Sequence, residues 1–185
     1  MIDSTKIKYA LLQHYGFKKG FYCCTELSYP CGIADVFCVD KHNKEAIDIE
    51  VKISKQDFLN DFLKKEFKHQ MFRNLYDKKL CMERYPNKFY FCVPSTLTEF
   101  VVKTLKERKL NWYGVIEFNE VYINGHLDLD QLLKTIQPAK KMFEITEISC
   151  TKIKEWMLNR LRNDCIGFYR EKVYGNRYGK IEEIN

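Results

Sequence analysis

Two short apolar runs, Ala34 to Val39 and Ala46 to Val51, are separated by a polar turn around His42-Asn43-Lys44. They limit this chain more than any other stretch. Each is too short for a buried helix and rich in β-branched residues, so the pair predicts neighbouring strands of one sheet. Side chains alternate faces along a strand, which sends Asp48, Glu50 and Lys52 to one side and Ile47, Ile49 and Val51 to the other. One face is apolar and the other carries charge. Asp35 precedes Val36-Phe37-Cys38-Val39 without a polar break, the pattern of a strand covered on both faces. A carboxylate at the mouth of such a strand is costly unless its charge is compensated.

If the strands pair, Asp35 and Glu50 can converge. Two nearby carboxylates repel unless a cation sits between them or one takes a proton. A hard, oxygen-seeking ion, Mg²⁺ or Mn²⁺, resolves that conflict. Lys52, one pleat beyond Glu50, is then placed to orient a water on the ion or to stabilise charge developing on a phosphate. Such a set suits hydrolysis of a phosphodiester.

The order Asp35, fourteen residues, then Glu50-Val51-Lys52 resembles the core signature of the PD-(D/E)XK nuclease superfamily. Ala34-Asp35-Val36, Glu50-Val51-Lys52-Ile53-Ser54, Asp57-Phe58, Asp61-Phe62 and Phe89-Tyr90-Phe91-Cys92-Val93-Pro94 follow the order of the MmcB-type DNA repair branch and similar phage-borne proteins. The resemblance spans roughly residues 20 to 118. Two positions depart from it. Ala34 stands where many relatives have proline, and the first helix lacks the acid that several relatives carry. The resemblance implies a restriction-endonuclease-like α/β core. Asp35, Glu50 and the Val51 backbone carbonyl would be ligands to Mg²⁺ or Mn²⁺, and Lys52 the catalytic lysine. It also makes Glu26 a candidate third acid, although an exposed carboxylate at a strand end is an equally good reading.

Composition bounds the alternatives. At 185 residues the chain is expected to form one domain over 1–172, with a mobile polar tail over 173–185. No apolar run approaches the roughly 20 residues needed to cross a bilayer, and no signal-peptide pattern is seen, so the expected compartment is the cytoplasm. Eight cysteines include no C-x₂-C pair, and reduced core thiols are expected in place of a disulfide framework or a metal-thiolate site. A net charge of +6 permits nucleic-acid binding without demanding it.

Along the chain, Thr5 to Tyr15 predicts an amphipathic helix and Gly20 to Leu27 the first strand. Ser54-x-x-Asp57 has the form of a capping box and opens one long helix through Leu75, of about six turns. Lys55, Lys64, Lys68, His69 and Arg73 lie off its apolar face as candidate phosphate contacts, against the plainer reading of a solvated face. Cys81 to Pro86 reads as a loop and Lys88 to Val93 as a strand, reached by a crossover through the long helix. A helix capped by Ser95 or Thr96 follows. Trp112 to Phe118 and Val121 to Ile123 then predict a hairpin, Asp128 to Ile136 a short helix, and about 149–170 a final helix.

The expected fold is α/β, a mixed sheet of four to six strands flanked by helices. The expected function is a metal-dependent nuclease acting on DNA in repair, recombination or phage DNA metabolism, with RNA left open as substrate. Rivals are a weakly catalytic DNA-binding module of the same fold and a host-interaction protein. The partners left open beside DNA are a second copy of the chain and a host protein, and no membrane association is expected.

Overall fold

The computed structural model describes residues 3–78, 84–120, 122–123, 126–127 and 131–174. Helix α1 (Ser4–Gly16) leads into β1 (Phe21–Tyr29), β2 (Gly32–Asp40) and β3 (Glu45–Val51). Helices α2 (Lys55–Lys64) and α3 (Glu66–Lys78) connect to β4 (Lys88–Pro94), and α4 (Ser95–Glu107) connects to β5 (Gly114–Phe118). A small pair, β6 (Tyr122–Ile123) and β7 (His126–Leu127), precedes β8 (Leu133–Gln137) and α5 (Glu147–Tyr174). The chain is α/β, with a six-stranded mixed sheet in the order β1-β2-β3-β4-β5-β8. β3, β4 and β5 run parallel, while β1, β2 and β8 are antiparallel to their neighbours. Parallel neighbours need crossovers, which α2–α3 and α4 supply.

Each face of the sheet has its own core. Val36, Cys38, Ile47, Ile49 and Val51 pack with Ile7, Ala10 and Leu11 of α1. On the opposite face Phe37, Val39, Phe89 and Phe91 pack with Phe58 and Phe72 of α2–α3, Val101 and Leu105 of α4, and Ile153 and Met157 of α5. The alternation in β3 therefore holds: Ile47, Ile49 and Val51 face α1, and Asp48 and Glu50 face away from it. Close approach of β5 to β4 needs Gly114, where a Cβ would sit 2.1 Å from the Tyr90 ring.

Several expectations are corrected. The single long helix is two, because Lys65 leaves helical geometry (φ −117°, ψ 33°) while its N–H still caps on Asp61 O. Ser54 caps α2 as expected, accepting from Asp57 N at 3.1 Å. The helix expected over Asp128 to Ile136 is overturned where it is described, since Leu133–Gln137 is strand β8 and closes the sheet beside β5. Trp112 to Phe118 does not form a hairpin with the next run. β5 lies between β4 and β8, and Tyr122–Ile123 pairs with His126–Leu127. α4 begins behind Pro94 with no side-chain cap, and Thr146, not Ser149 or Thr151, accepts at the start of α5, from Ser149 N at 3.1 Å. Cys24, Cys31, Cys38, Cys92 and Cys150 are buried free thiols, whereas Cys165 is exposed. Residues 81–83 of the expected loop and the tail from 175 lie outside the described residues, which include no helix long and apolar enough to cross a membrane.

Candidate active site

The site begins with a slip in the alternation of β1 and β2. Cys24 and Leu27 pack in the same core cluster although three positions apart, as do Ala34 and Phe37. Strict alternation would put each pair on opposite faces. Glu26 and Asp35 lie between the flanking partners Thr25↔Val36 and Leu27↔Ala34, and Glu26 has a left-handed backbone (φ 53°). Both carboxylates turn to Lys8 of α1. Its ammonium is hydrogen-bonded to Glu26 and lies 3.1 Å from Asp35 Oδ1. Asp35 Oδ2 accepts from Val51 N at 2.8 Å, which ties β2 to the end of β3. Burial, then the charge of Glu50, raise the Asp35 carboxyl above its usual pKa, while the Val51 amide and Lys8 oppose them. Burial works against the Lys8 ammonium, yet Glu26 and Asp35 keep its pKa above the ordinary value.

Glu50 has different neighbours. It is fully buried and contacts three ammonium groups: Lys65 at 2.6 Å, Lys52 at 3.3 Å and Lys68. Lys68 is also buried and lies 2.6 Å from Asp48, whose Oδ2 accepts from the Tyr29 hydroxyl. Lys52 lies 2.6 Å from Asp61. Three carboxylates, Asp48, Glu50 and Asp61, thus face three ammonium groups, Lys52, Lys65 and Lys68. Burial alone would raise Glu50, but the charges of Lys68, Lys65 and Lys52 hold it down to about 2. Asp48 moves the other way, to about 6, because burial and the Glu50 charge outweigh Lys68. Burial disfavours the Lys68 cation, and Asp48 and Glu50 more than compensate, so its pKa is raised.

A second chain of contacts holds Asp61. His69 Nε2 lies 2.9 Å from Asp61 Oδ2, and Nδ1 lies 2.8 Å from the Tyr113 hydroxyl. Ionised Asp61 can only accept, which assigns the proton to Nε2 and leaves Nδ1 to accept from Tyr113. Burial lowers the His69 pKa and favours this neutral ring. Phe62 stacks on the imidazole with centroids 4.5 Å apart. Asp61 is held below the usual carboxylate range: burial is overcome by the His69 hydrogen bond and by Lys52.

Of the candidate residues, the fold brings Glu50 and Lys52 into contact and puts Glu26 and Asp35 on one cation. Asp35 and Glu50 meet through their fields and not through a shared partner, since Lys8 reaches Asp35 from α1 and the lysines on Glu50 come from the residue after β3 and the α2–α3 layer. Among the described residues no three His, Cys, Asp or Glu side chains form a ready-made metal cage. Lys55, Lys64 and Arg73 are exposed. Lys68 and His69 are corrections. Both are buried: Lys68 turns to Asp48 and Glu50 of β3, and His69 to Asp61 of α2 and to Tyr113. Sequence reasoning missed Lys8, Tyr29, Asp48, Asp61 and Tyr113 as members of this network. Asp48 and Asp61 carried a signal, since each is an acid set among apolar residues.

No family model matches the chain, and no curated protein matches it. A solved structure, the SPO1766 protein of unknown function from Silicibacter pomeroyi, superposes with a TM-score of 0.53 at 12% identity, covering 95% of this chain and 92% of that one. That likeness concerns the fold alone.

Proposed function

We propose that this chain is a metal-dependent nuclease hydrolysing DNA phosphodiester bonds, in repair, recombination or phage DNA metabolism. The observation that carries the reading is the pair of acids on adjoining strands. Asp35 lies just beyond the paired register that ends at Val36↔Ile49, near enough to Glu50 for its charge to raise the Asp35 carboxyl, while Lys8 of α1 holds Asp35 and Lys65 and Lys68 hold Glu50. The donors are of the oxygen type a hard cation takes: the carboxylates of Asp35 and Glu50 would hold it, with Glu26 and the Val51 carbonyl as further candidates. Lys8 is a stand-in, an ammonium already shared by Glu26 and Asp35. A bound Mg²⁺ or Mn²⁺ supplies Lewis acidity at a phosphoryl oxygen and makes a bound water more acidic.

The chain's own residues do the rest. Asp61 holds the Lys52 ammonium beside Glu50, where it can orient a water or meet charge growing on a phosphate. Lys65 and Lys8 are the partly exposed members, with side chains 32% and 23% accessible, so they can swing aside for another cation. Until then they neutralise the acids, which lowers the cost of keeping carboxylates there.

One observation favours a second reading. Glu50 has an ammonium on both oxygens, and Lys52 is committed to Asp61 as well, an arrangement that satisfies itself without metal. A nuclease-fold protein that binds DNA or a host partner without cleaving it would keep such a network as structure. The test is incubation with circular, linear, branched and single-stranded DNA and with RNA, in Mg²⁺, Mn²⁺ or EDTA, for wild type, Glu50→Ala and Lys52→Ala. Cleavage that needs metal and is lost in both variants supports the nuclease. Cleavage surviving in both, or absent from folded wild type on every substrate, overturns it.

A further inference from the structure

Beside the buried network lies an open groove of about 590 Å³ formed by α2, α3 and the turn after α4. Its wall carries two arginines, Arg73 and Arg108, and His69 lies at its base. The Arg108 guanidinium lies over the Phe62 ring, 4.5 Å from its centroid, and Phe62 in turn stacks on His69. Arg73 Nη2 lies 3.5 Å from the Arg108 backbone carbonyl, and both residues line the groove. Neither is held in an ion pair with a carboxylate among the described residues. Glu66 is the acid in the lining, and Leu63, 77% exposed, forms an apolar rim.

We propose that this groove seats the phosphodiester backbone of a nucleic acid, with Arg73 and Arg108 forking onto its phosphate oxygens. Guanidinium groups match phosphate in a planar, two-pronged geometry. Stacking on Phe62 holds Arg108 in place beforehand, so less side-chain entropy is lost on binding. His69 links the groove to the buried network, where it bonds Asp61, the acid that holds the proposed catalytic Lys52. The inference rests on the nuclease reading only for its choice of polymer. Arg73 was legible in the sequence as a candidate phosphate contact, whereas Arg108 comes from the fold, 35 positions away.

The test is anisotropy of short labelled single-stranded DNA, duplex DNA and RNA in EDTA, where binding is read without cleavage. Arg73→Ala and Arg108→Ala should each weaken binding about tenfold at low salt and flatten the slope of log K against log salt by roughly 0.7 to 0.9. Arg108→Lys should recover part of the loss. Lys154→Ala on α5 controls for the loss of one charge and should change little. Wild-type binding in both alanine variants, or an equal loss in the control, overturns the groove. Arginine-dependent binding with no cleavage in metal refutes the nuclease and keeps the groove. Cleavage with binding indifferent to the arginines does the reverse.

Discussion

The ammonium of Lys68 lies 2.6 Å from the Asp48 carboxylate, and solvent reaches neither side chain. A helix cation and a strand anion thus pin α3 to β3 inside the apolar layer. Removing one partner leaves the other charge buried and uncompensated, so Lys68→Met should destabilise the protein by about 3–5 kcal/mol. Replacing both, as Asp48→Asn with Lys68→Met, should cost less than the single change. Denaturant unfolding of the three forms checks this, and a single-variant loss below about 1 kcal/mol would mean the pair contributes nothing specific.

Acid should expose the same network. Glu50, lowered to about 2, and Asp61, lowered as well, are ionised in the folded chain at pH values where the unfolded chain would already be protonated. The stability they add is complete above their unfolded pKa, about 4, and is lost as pH falls toward 2. Glu50→Gln should be less stable than wild type at neutral pH, and the gap should narrow on acidification. Thermal melts across that range report it; a gap independent of pH would contradict the assignment.

Tyr113 is fully buried, and its hydroxyl is assigned as donor to His69 Nδ1. Tyr113→Phe removes that donor and leaves a buried acceptor without its partner, at a cost of about 1–3 kcal/mol. The loss should shrink when His69 is replaced by Phe, since the orphaned nitrogen is then absent. A double-mutant cycle measures the coupling, and additive losses would show that the two residues act separately.

Lys8 stands where Glu26 and Asp35 meet. If it substitutes for a divalent ion, Lys8→Ala should open that position and make the melting temperature rise with added Mg²⁺ or Mn²⁺ more than in wild type. Asp35→Asn in the same background should abolish the rise. Equal metal responses in all three forms would remove Asp35 and Glu26 from any cation site.

The period-two pattern of β3 was readable because a strand has only two faces, and the apolar residues Ile47, Ile49 and Val51 name the buried one. The six-stranded order, the break at Lys65 and strand β8 were not. Lys65 looks helical from its neighbours, and its departure from helical geometry shows only in the backbone. Leu133 to Gln137 has no strong period and becomes a strand by pairing with β5. Lys68 is the sharpest case: a lysine on an amphipathic helix reads as solvated, and here it is buried between two acids that lie 20 and 18 positions earlier.

The alternation of β3, with Asp48 and Glu50 on one face and Ile47, Ile49 and Val51 on the other, was set by the sequence alone, because the pleat translates residue spacing directly into facing; the slip at Glu26 and Asp35 was not. The tertiary structure decided what those charges meet. It brought Lys8 across from α1 to Glu26 and Asp35, wrapped Glu50 in three ammonium groups, and joined Lys52 to Asp61, His69 and Tyr113. Those partners come from separate elements, and a field summed over distant segments has no local signature in a chain.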